Sequence, residues 1–376
     1  MEVLQELRTQ LDDIDEQIIA LYQQRMDICK QVGEDKVKTG ANVFDKKREL
    51  EKLAKVSASV ENQVYQKGIT ELFEQLMSVS RKLQYQLLSE RGLLGSPPFI
   101  PVEQLSPKEP QVVFQGMEGA YSQAAMHNYF GSDVHGFHVD TFRGAMESIK
   151  DGTADFAVLP IENSSVGAVD QVYDLLVEFE NYIVGEVIIP IAHTLSGLPG
   201  AKIEEVQQVY SHPQALMQSA GYLSNHPKWQ QISVANTAVA AKKVLEDKDL
   251  SKAAICSEHA AAIYGLDILE RCISDDALNS TRFIIVTNQK IFQTEASKIS
   301  ICFEVAHESG TLYHLLSHFI YNGLNMTKIE SKPIAGQKWG YRFFVDFEGN
   351  MADGAVKNAI HGLQEEARHL KILGNY

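Results

Sequence analysis

Two places in the chain put reactive or charged side chains where packing alone would not. The first is Ala157-Val158-Leu159-Pro160-Ile161-Glu162-Asn163-Ser164-Ser165-Val166-Gly167. Phe156 to Leu159 reads as a buried strand, and Pro160 as its end, because proline gives no ladder donor. Gly167 reads as the opening of a helix through Val169, Val172, Leu175 and Leu176. Glu162, Asn163, Ser164 and Ser165 then fall at a strand-to-helix junction. Open α/β sheets hold ligands there, and backbone N–H groups with short hydroxyls suit an anion. An ordinary helix cap built from Asn and Ser explains the same residues. The second place is Arg25. Leu4, Leu7, Leu11, Ile14, Ile18, Leu21, Ile28 and Val32 recur at alternating steps of three and four, and Arg25 fills the step missing between Leu21 and Ile28. A guanidinium in such a seam is costly unless paired. It reads either as an anion-binding group facing a bundle interior or as an arginine snorkelling at the helix edge.

The elements that position these groups follow from periodicity. Lys36 continues the first helix, which Gly40 and Asn42 break. A second helix carries Asp45, Arg48, Glu49 and Lys52 on one face, a pattern that by itself reads first as a solvated, salt-bridged surface. A third runs from about Glu61 to Glu90, with Phe73, Met77, Ser80, Gln84 and Leu87 on its stripe. Ser80 and Gln84 need partners there, structural or from a ligand. Five of the eleven prolines, Pro97, Pro98, Pro101, Pro107 and Pro110, fall in 93–110 beside Gly92 and Gly95, which marks a semi-rigid spacer. From 111 to about 290, strands alternate with helices in two sets, which predicts parallel sheets in two lobes with a cleft between them. The last stretch, 297–376, reads βαββαβ, the ferredoxin-like α+β order.

Bulk properties narrow the function. The length of 376 residues implies several domains, and a formal net charge of -15 argues against nucleic-acid and anionic-membrane partners. Cys29, Cys256, Cys272 and Cys302 lie far apart in apolar stretches and read as reduced core residues of a cytoplasmic protein. No signal peptide or membrane-spanning run is apparent. His314 and His318 lie one turn apart with no third ligand nearby, so no metal site is read. No cofactor is expected.

The helical stretch resembles the all-helical chorismate mutase domain over residues 4–88. The resemblance rests on Leu7-Arg8, Gln24-Arg25, Val32-Gly33-x-x-Lys36, Asp45-x-x-Arg48-Glu49 and Ser80-x-x-x-Gln84. It implies that Arg8, Arg25 and Arg48 grip the substrate carboxylates, and that Lys36 and Gln84 bond the ether oxygen. Asp45 and Glu49 would address the ring hydroxyl, and Ser80 would line the pocket. It also implies a dimer, with Arg8 serving the partner's site.

The central region resembles prephenate dehydratase. The motifs are Gly116-x-x-Gly119-x-Tyr121-Ser122, Pro160-Ile161-Glu162-Asn163-Ser164, Ser211-His212-Pro213-Gln214 and Thr281-Arg282-Phe283. The resemblance makes Thr281 catalytic and puts Ser122, Asn163, Ser164, Gln214, Arg282 and Phe283 in the substrate cleft. Glu162 or a water chain would help the threonine, and His212 is a second acid candidate or a helix cap.

The C-terminal stretch resembles an ACT regulatory domain through Glu308-Ser309-Gly310-Thr311-Leu312 and Glu330-Ser331-Lys332-Pro333, with Thr311 and Lys332 where Ala and Arg are usual. A phenylalanine site at Gly310, Leu312, Asn325, Glu330 and Ser331 is expected between paired domains.

The expected architecture is therefore an all-α domain (1–92), a linker (93–110), a two-lobed α/β region (111–290) and an α+β ACT domain (297–376). The expected function is conversion of chorismate to prephenate and of prephenate to phenylpyruvate, regulated by phenylalanine. Competing readings are a non-catalytic amino-acid sensor, a prephenate decarboxylase and an arogenate dehydratase.

Overall fold

The computed structural model describes residues 2–93, 98–105, 109–334 and 336–376. The chain forms two compact units: Met1–Phe99 with Ala296–Ile372, and Ile100–Glu295 with Leu373–Tyr376.

The first unit begins with three helices, α1 (Glu2–Thr39), α2 (Lys46–Ala58) and α3 (Gln63–Glu90). Asp45 caps α2 by accepting from the Arg48 N–H at 3.1 Å, so it precedes the helix whose face it was expected to share. The C-terminal half of α3 is buried, Arg81, Lys82, Gln84 and Tyr85 included. Along α1, Leu4, Leu7, Leu11, Ile14, Ile18 and Leu21 are each half or more exposed.

Part of the expected spacer is ordered into the second unit. Gly95, Pro97 and Pro107 lie outside the described residues, but β1 (Ile100–Val102) pairs in parallel with a later strand at Ile291–Gln293. The first lobe holds β2 (Gln111–Gln115), β3 (His135–Val139), β4 (Phe156–Asn163), the short β5 (Gly167–Ala168), β6 (Tyr182–Pro190) and the returning β12 (Ser280–Thr287). Its strand order is β3-β2-β4-β12-β6, and β5 pairs with β4. Helices α4 (Tyr121–Phe130), α5 (Phe142–Lys150) and α6 (Asp170–Glu178) connect these strands. The second lobe holds β7 (Thr194–Gly197), β8 (Gln208–Ser211), β9 (Gln230–Ser233), β10 (Lys252–Cys256) and β11 (Asp267–Glu270), ordered β11-β7-β10-β8-β9. With them run α7 (Pro213–Gln218), α8 (Ala220–Ser224), α9 (Thr237–Asp247) and α10 (Glu258–Ile263), and β13 (Ile291–Gln293) follows the return.

Both sheets are mixed, not parallel. β12 runs antiparallel to β4 and β6, and β7 antiparallel to β10 and β11. Parallel pairing needs a crossover, usually helical. Neither passage between the lobes, 191–193 or 271–279, contains a helix. The two passages bond to each other: Ile191 N donates to Asn279 O at 2.9 Å, and Ile273 N to His193 O at 3.1 Å.

Strand β4 also departs from expectation, because it continues through Pro160. Phe283 opposes Pro160 and Arg282 opposes Glu162, so Ile161 is an extra residue on β4. A bulge is where a strand tolerates a residue without an N–H. The following helix starts at Asp170 and not at Gly167. The Asn163 Oδ1 accepts from Ser165 N and Val166 N, both at 3.1 Å, and turns the chain back so that Gly167 pairs with Asn163.

The chain then returns to the first unit with β14 (Lys298–Glu304), α11 (Thr311–Tyr321), β15 (Met326–Pro333), β16 (Tyr341–Glu348), α12 (Gly354–Glu366) and β17 (Arg368–Asn375). The strands lie in the order β15-β16-β14-β17. Helix α3 packs on α12 and α11 as well as on α1 and α2, which explains its deep burial. The end of β17 belongs to the second unit, where Gly374 pairs with Ile183.

All four cysteines are free, and Cys256 and Cys302 are buried as expected. Cys272 is exposed, at φ 54°, because it sits in the return passage between the lobes. Among the described residues no helix is long and apolar enough to cross a membrane, and no cluster of His, Cys, Asp and Glu could hold a metal.

Candidate active sites

Helices α1, α2 and α3 enclose a cavity of about 310 Å³. Arg25, Lys36, Asp45, Arg48, Glu49, Ser80 and Gln84 all line it. Arg8 does not. It lies seventeen residues before Arg25 on α1, about 25 Å away along the axis at 1.5 Å per residue. The Arg25 Nη1 donates to Ser80 Oγ at 2.6 Å and to Leu76 O at 2.9 Å, which answers the need of both seam residues for partners. Lys36 Nζ donates to Val43 O at 2.7 Å. Burial, and then the nearby Arg48, lower its pKa. Gln84 Oε1 is buried without a partner in the fold. An amide can present either its O or its N–H in that direction. Gly33 permits this packing, since a Cβ there would stand 2.9 Å from Gln84 Cγ.

The lining carries five cations, Arg25, Lys36, Arg48, Lys52 and Arg81, against the two acids Asp45 and Glu49. In a chain of net charge -15, that makes the cavity a site for an anion. Arg81 was not singled out in the sequence. It clamps Glu49 through Nη1, 2.7 Å from Oε1 and 2.5 Å from Oε2.

In the second unit the two lobes face a cleft of about 460 Å³. Thr281, Phe283, Asn163 and Ser122 line it from the first lobe, and His212 and Gln214 from the second. Asn163 Nδ2 donates to Thr281 Oγ1 at 2.9 Å and to Asn279 Oδ1 at 2.8 Å. His212 caps α7, with Nδ1 accepting from Gln214 N at 3.2 Å, which places the ring proton on Nε2. Burial lowers its pKa, so the ring is neutral near pH 7.

Other expected residues do not reach the cleft. Strand alternation sends Arg282 to the opposite face of β12 from Thr281 and Phe283. There it meets Glu186 at 2.8 Å, Glu162 at 3.5 Å and the Tyr376 hydroxyl at 2.9 Å. Ser164 ties its loop to β12, its Oγ accepting from Ser280 N at 2.9 Å. Among the described residues lining the cleft, none is Lys, Arg, Asp or Glu. What the cleft offers an anion is amides, hydroxyls and the helix starts at Tyr121-Ser122 and Thr237.

The two cavities match two known families. Residues 7–85 fit the model for chorismate mutase type II, and residues 112–291 that for prephenate dehydratase. A bifunctional chorismate mutase/prephenate dehydratase from Aquifex aeolicus is 34% identical over 382 residues, covering 100% of this chain and 98% of that protein. The chain belongs to the bifunctional chorismate mutase/prephenate dehydratase family.

Two solved structures resemble part of this family member. One is a prephenate dehydratase from Arthrobacter aurescens in complex with L-Phe, at 30% identity and TM-score 0.65, covering 71% of this chain and 89% of that one. The other, a protein described as a novel type of quorum-quenching acylase, matches at 30% identity and TM-score 0.65, over 71% and 97%.

In this family member, sequence reasoning missed His193, which lines the two-lobed cleft, and Asn279, which does not line it but bonds Asn163, which does. His193 is buried, with Nδ1 3.2 Å from the Tyr121 hydroxyl and Nε2 3.1 Å from Gln218 Oε1. Its sequence signal was a lone histidine just after Pro190, where the chain leaves the first lobe. Asn279 offered none, because its link to Asn163 spans 116 residues.

The residues expected to bind an effector lie on the C-terminal module. Gly310 caps α11 at φ +81°, a conformation a side chain would strain. Glu330 and Ser331 lie on β15, at the sheet edge, and Ser331 and Asn325 are exposed. His314 and His318 do not converge on a common site: His318 lies 3.1 Å from Glu366 and His314 3.8 Å from Glu74.

Proposed function

We propose that residues 1–92 rearrange chorismate to prephenate in the helical cavity, and that residues 111–290 convert prephenate to phenylpyruvate in the two-lobed cleft. One observation carries the first assignment. Seven side chains that the resemblance to the chorismate mutase family implies line a single, net cationic cavity. The rearrangement is pericyclic and needs no nucleophile, only a held conformer and stabilised charge as the C–O bond breaks. Arg25 and Arg48 grip carboxylates, Lys36 and Gln84 meet the ether oxygen, and Asp45 and Glu49 meet the ring hydroxyl, with Ser80 orienting Arg25. Arg8 is too far along α1 to join them and serves the cavity of a second copy. The exposed apolar stripe of α1 supports such a dimer.

In the dehydratase step, prephenate loses CO2 and its ring hydroxyl, and aromatisation drives the reaction. The C–CO2 bonding pair enters the ring as the C–OH bond breaks. Thr281 donates a hydrogen bond to the departing oxygen, and Asn163 orients it. Water supplies the proton that turns the departing hydroxide into water, and the neutral His212 can donate only a hydrogen bond through Nε2–H. Arg282, Glu162 and Ser164 support β12 and its neighbouring loop from outside the cleft.

Residues 297–376 form an ACT-type module that takes phenylalanine at paired copies, a reading supported by the βαββαβ order and the strand order β15-β16-β14-β17. The free thiols and small-molecule chemistry fit a cytoplasmic enzyme. The deciding experiment supplies chorismate to the full chain and follows its ultraviolet absorbance and phenylpyruvate formation, with and without phenylalanine. Turnover to phenylpyruvate that phenylalanine suppresses is expected. Ligand binding without turnover would make the protein a sensor.

A further inference from the structure

Arg81 lies on the wall of the mutase cavity and reaches out of it as well. Its Nη1 holds both Glu49 oxygens, and its Nε donates to Glu366 Oε1 at 2.9 Å. The side chains of Arg81 and Glu366 are each only 8% exposed. Phe44 covers the guanidinium, its ring centroid 4.9 Å from Cζ. Glu366 ends α12, and Glu365 precedes it. Carboxylates in a last helical turn oppose the helix dipole, so helix stability alone does not select them. Both are instead bound to the mutase elements. Glu365 Oε2 accepts from the Tyr85 hydroxyl at 2.7 Å and from Phe44 N at 3.3 Å, next to the α2 cap Asp45. The end of α12 therefore grips α3 through Arg81 and Tyr85, and the loop before α2 through Phe44.

We propose that Arg81 is a positioning residue of the mutase, orienting the Glu49 carboxylate while anchored on Glu366, so that mutase turnover depends on the C-terminal module. The proposal rests on the reading of the helical cavity as the mutase site. A planar guanidinium bound on two edges has little freedom left, so Glu49 is presented in one orientation. Removal of Glu366 leaves Arg81 free to rotate, and Glu49 with it. The module then reaches the mutase through a chain of two ion pairs.

The test uses the full chain and chorismate. Glu366→Gln keeps the shape and removes the charge. It is expected to lower mutase kcat about tenfold with KM little changed, and Glu366→Asp to restore part of the loss. In a Glu49→Gln background, Glu366→Gln is expected to cost nothing further, because the group it positions is already gone. Arg81→Lys keeps the charge but loses the fork, and is expected to give the same non-additive loss if Glu366→Gln fails to fold. Wild-type kcat in folded Glu366→Gln, or in Arg81→Lys where that protein is used instead, overturns the proposal. So does a loss that simply adds to that of Glu49→Gln, since that marks general destabilisation. Wild-type mutase turnover in Glu49→Gln itself would instead overturn the cavity assignment, and the proposal with it.

Discussion

Asn163 Nδ2 stands 2.9 Å from Thr281 Oγ1, and the rest of the asparagine fixes the direction of that bond. Its Oδ1 already accepts from Ser165 N and Val166 N, so the end facing Thr281 must be the NH2. Thr281 Oγ1 therefore accepts from Asn163, and its own proton is left for the cleft. Thr281→Val should lower dehydratase kcat by about a hundredfold or more while prephenate KM changes little, because the hydroxyl acts mainly in the transition state. Asn163→Asp should show a similar kcat loss, by turning that proton toward a carboxylate. Steady-state kinetics with supplied prephenate checks both. A loss wholly in KM would make Thr281 a binding contact.

Arg25→Ala should abolish mutase turnover, since it removes a half-buried partner of the substrate's charge. The expected loss is about 2–5 kcal/mol, a hundredfold or more in rate. Dehydratase turnover of supplied prephenate should persist, because its cleft belongs to the other compact unit. Separate assays of each reaction on the same preparation provide the check.

Complementation tests the placement of Arg8. Arg8→Ala and Arg25→Ala chains should each be mutase-poor alone. A hybrid dimer of the two should regain mutase turnover, because one of its cavities then combines a native Arg25 with a native Arg8 from the other chain. Subunit mixing after mild denaturation, followed by the mutase assay, reads this out. If mixtures stay inactive while size-exclusion chromatography shows that hybrids formed, Arg8 does not act across chains.

Phenylalanine should lower dehydratase turnover more than mutase turnover, and should promote association of the C-terminal modules. Gly310→Val forces a β-branched residue into φ +81° and should weaken inhibition several-fold, as should Ser331→Ala. Uninhibited dehydratase turnover should be unchanged in both. Phenylalanine titration of both activities, with calorimetry on the full chain, gives the answer. Absence of heat and of inhibition in the native chain would remove the effector assignment.

Acid should destabilise the first unit in two stages. Burial lowers the His318 pKa below 6.5, although Glu366 opposes the shift, so the unfolded chain takes that proton first as pH falls through about 6.5. Burial pushes the Glu366 carboxyl up, but His318 and Arg81 outweigh it and hold it at about 2, against 4.5 unfolded. Its contribution is complete above about pH 4.5 and is lost as pH falls toward 2. Thermal unfolding from about pH 7 to about pH 3 should show a falling Tm, with the lower stage flattened in Glu366→Gln. An unchanged slope in that variant would contradict the assignment.

The sequence revealed the mutase cavity better than the dehydratase cleft for a physical reason. Helical periodicity fixes which face a residue takes, so the apolar stripes marked Arg25, Ser80 and Gln84 as inward-facing, and the resemblance to the mutase family then implied their convergence with Lys36 and Arg48. In β12, neighbours face opposite ways, so Thr281 and Arg282 share a motif but not a surface. The bulge at Ile161 hid the true length of β4, because Pro160 reads as an end unless the extra residue is known. Arg81 carried no signal in the sequence. Its partner Glu366 lies 285 residues away, beyond any local pattern.

The first unit is built from residues 1–99 and 296–372, with Ile100–Glu295 between them in the chain. During synthesis at about 5–20 residues per second, those roughly 200 intervening residues take about 10–40 s. Through that interval α3 has no α12 to cover it. Arg81 and Lys82, deeply buried in the finished enzyme, are hydrated charges on the waiting helix. They would keep the nascent surface from sticking to others, and are withdrawn from water only when the last helix leaves the ribosome. A product truncated before α12 would stop in that state, which makes the Glu366 contact a chemical mark that α12 has been made and docked.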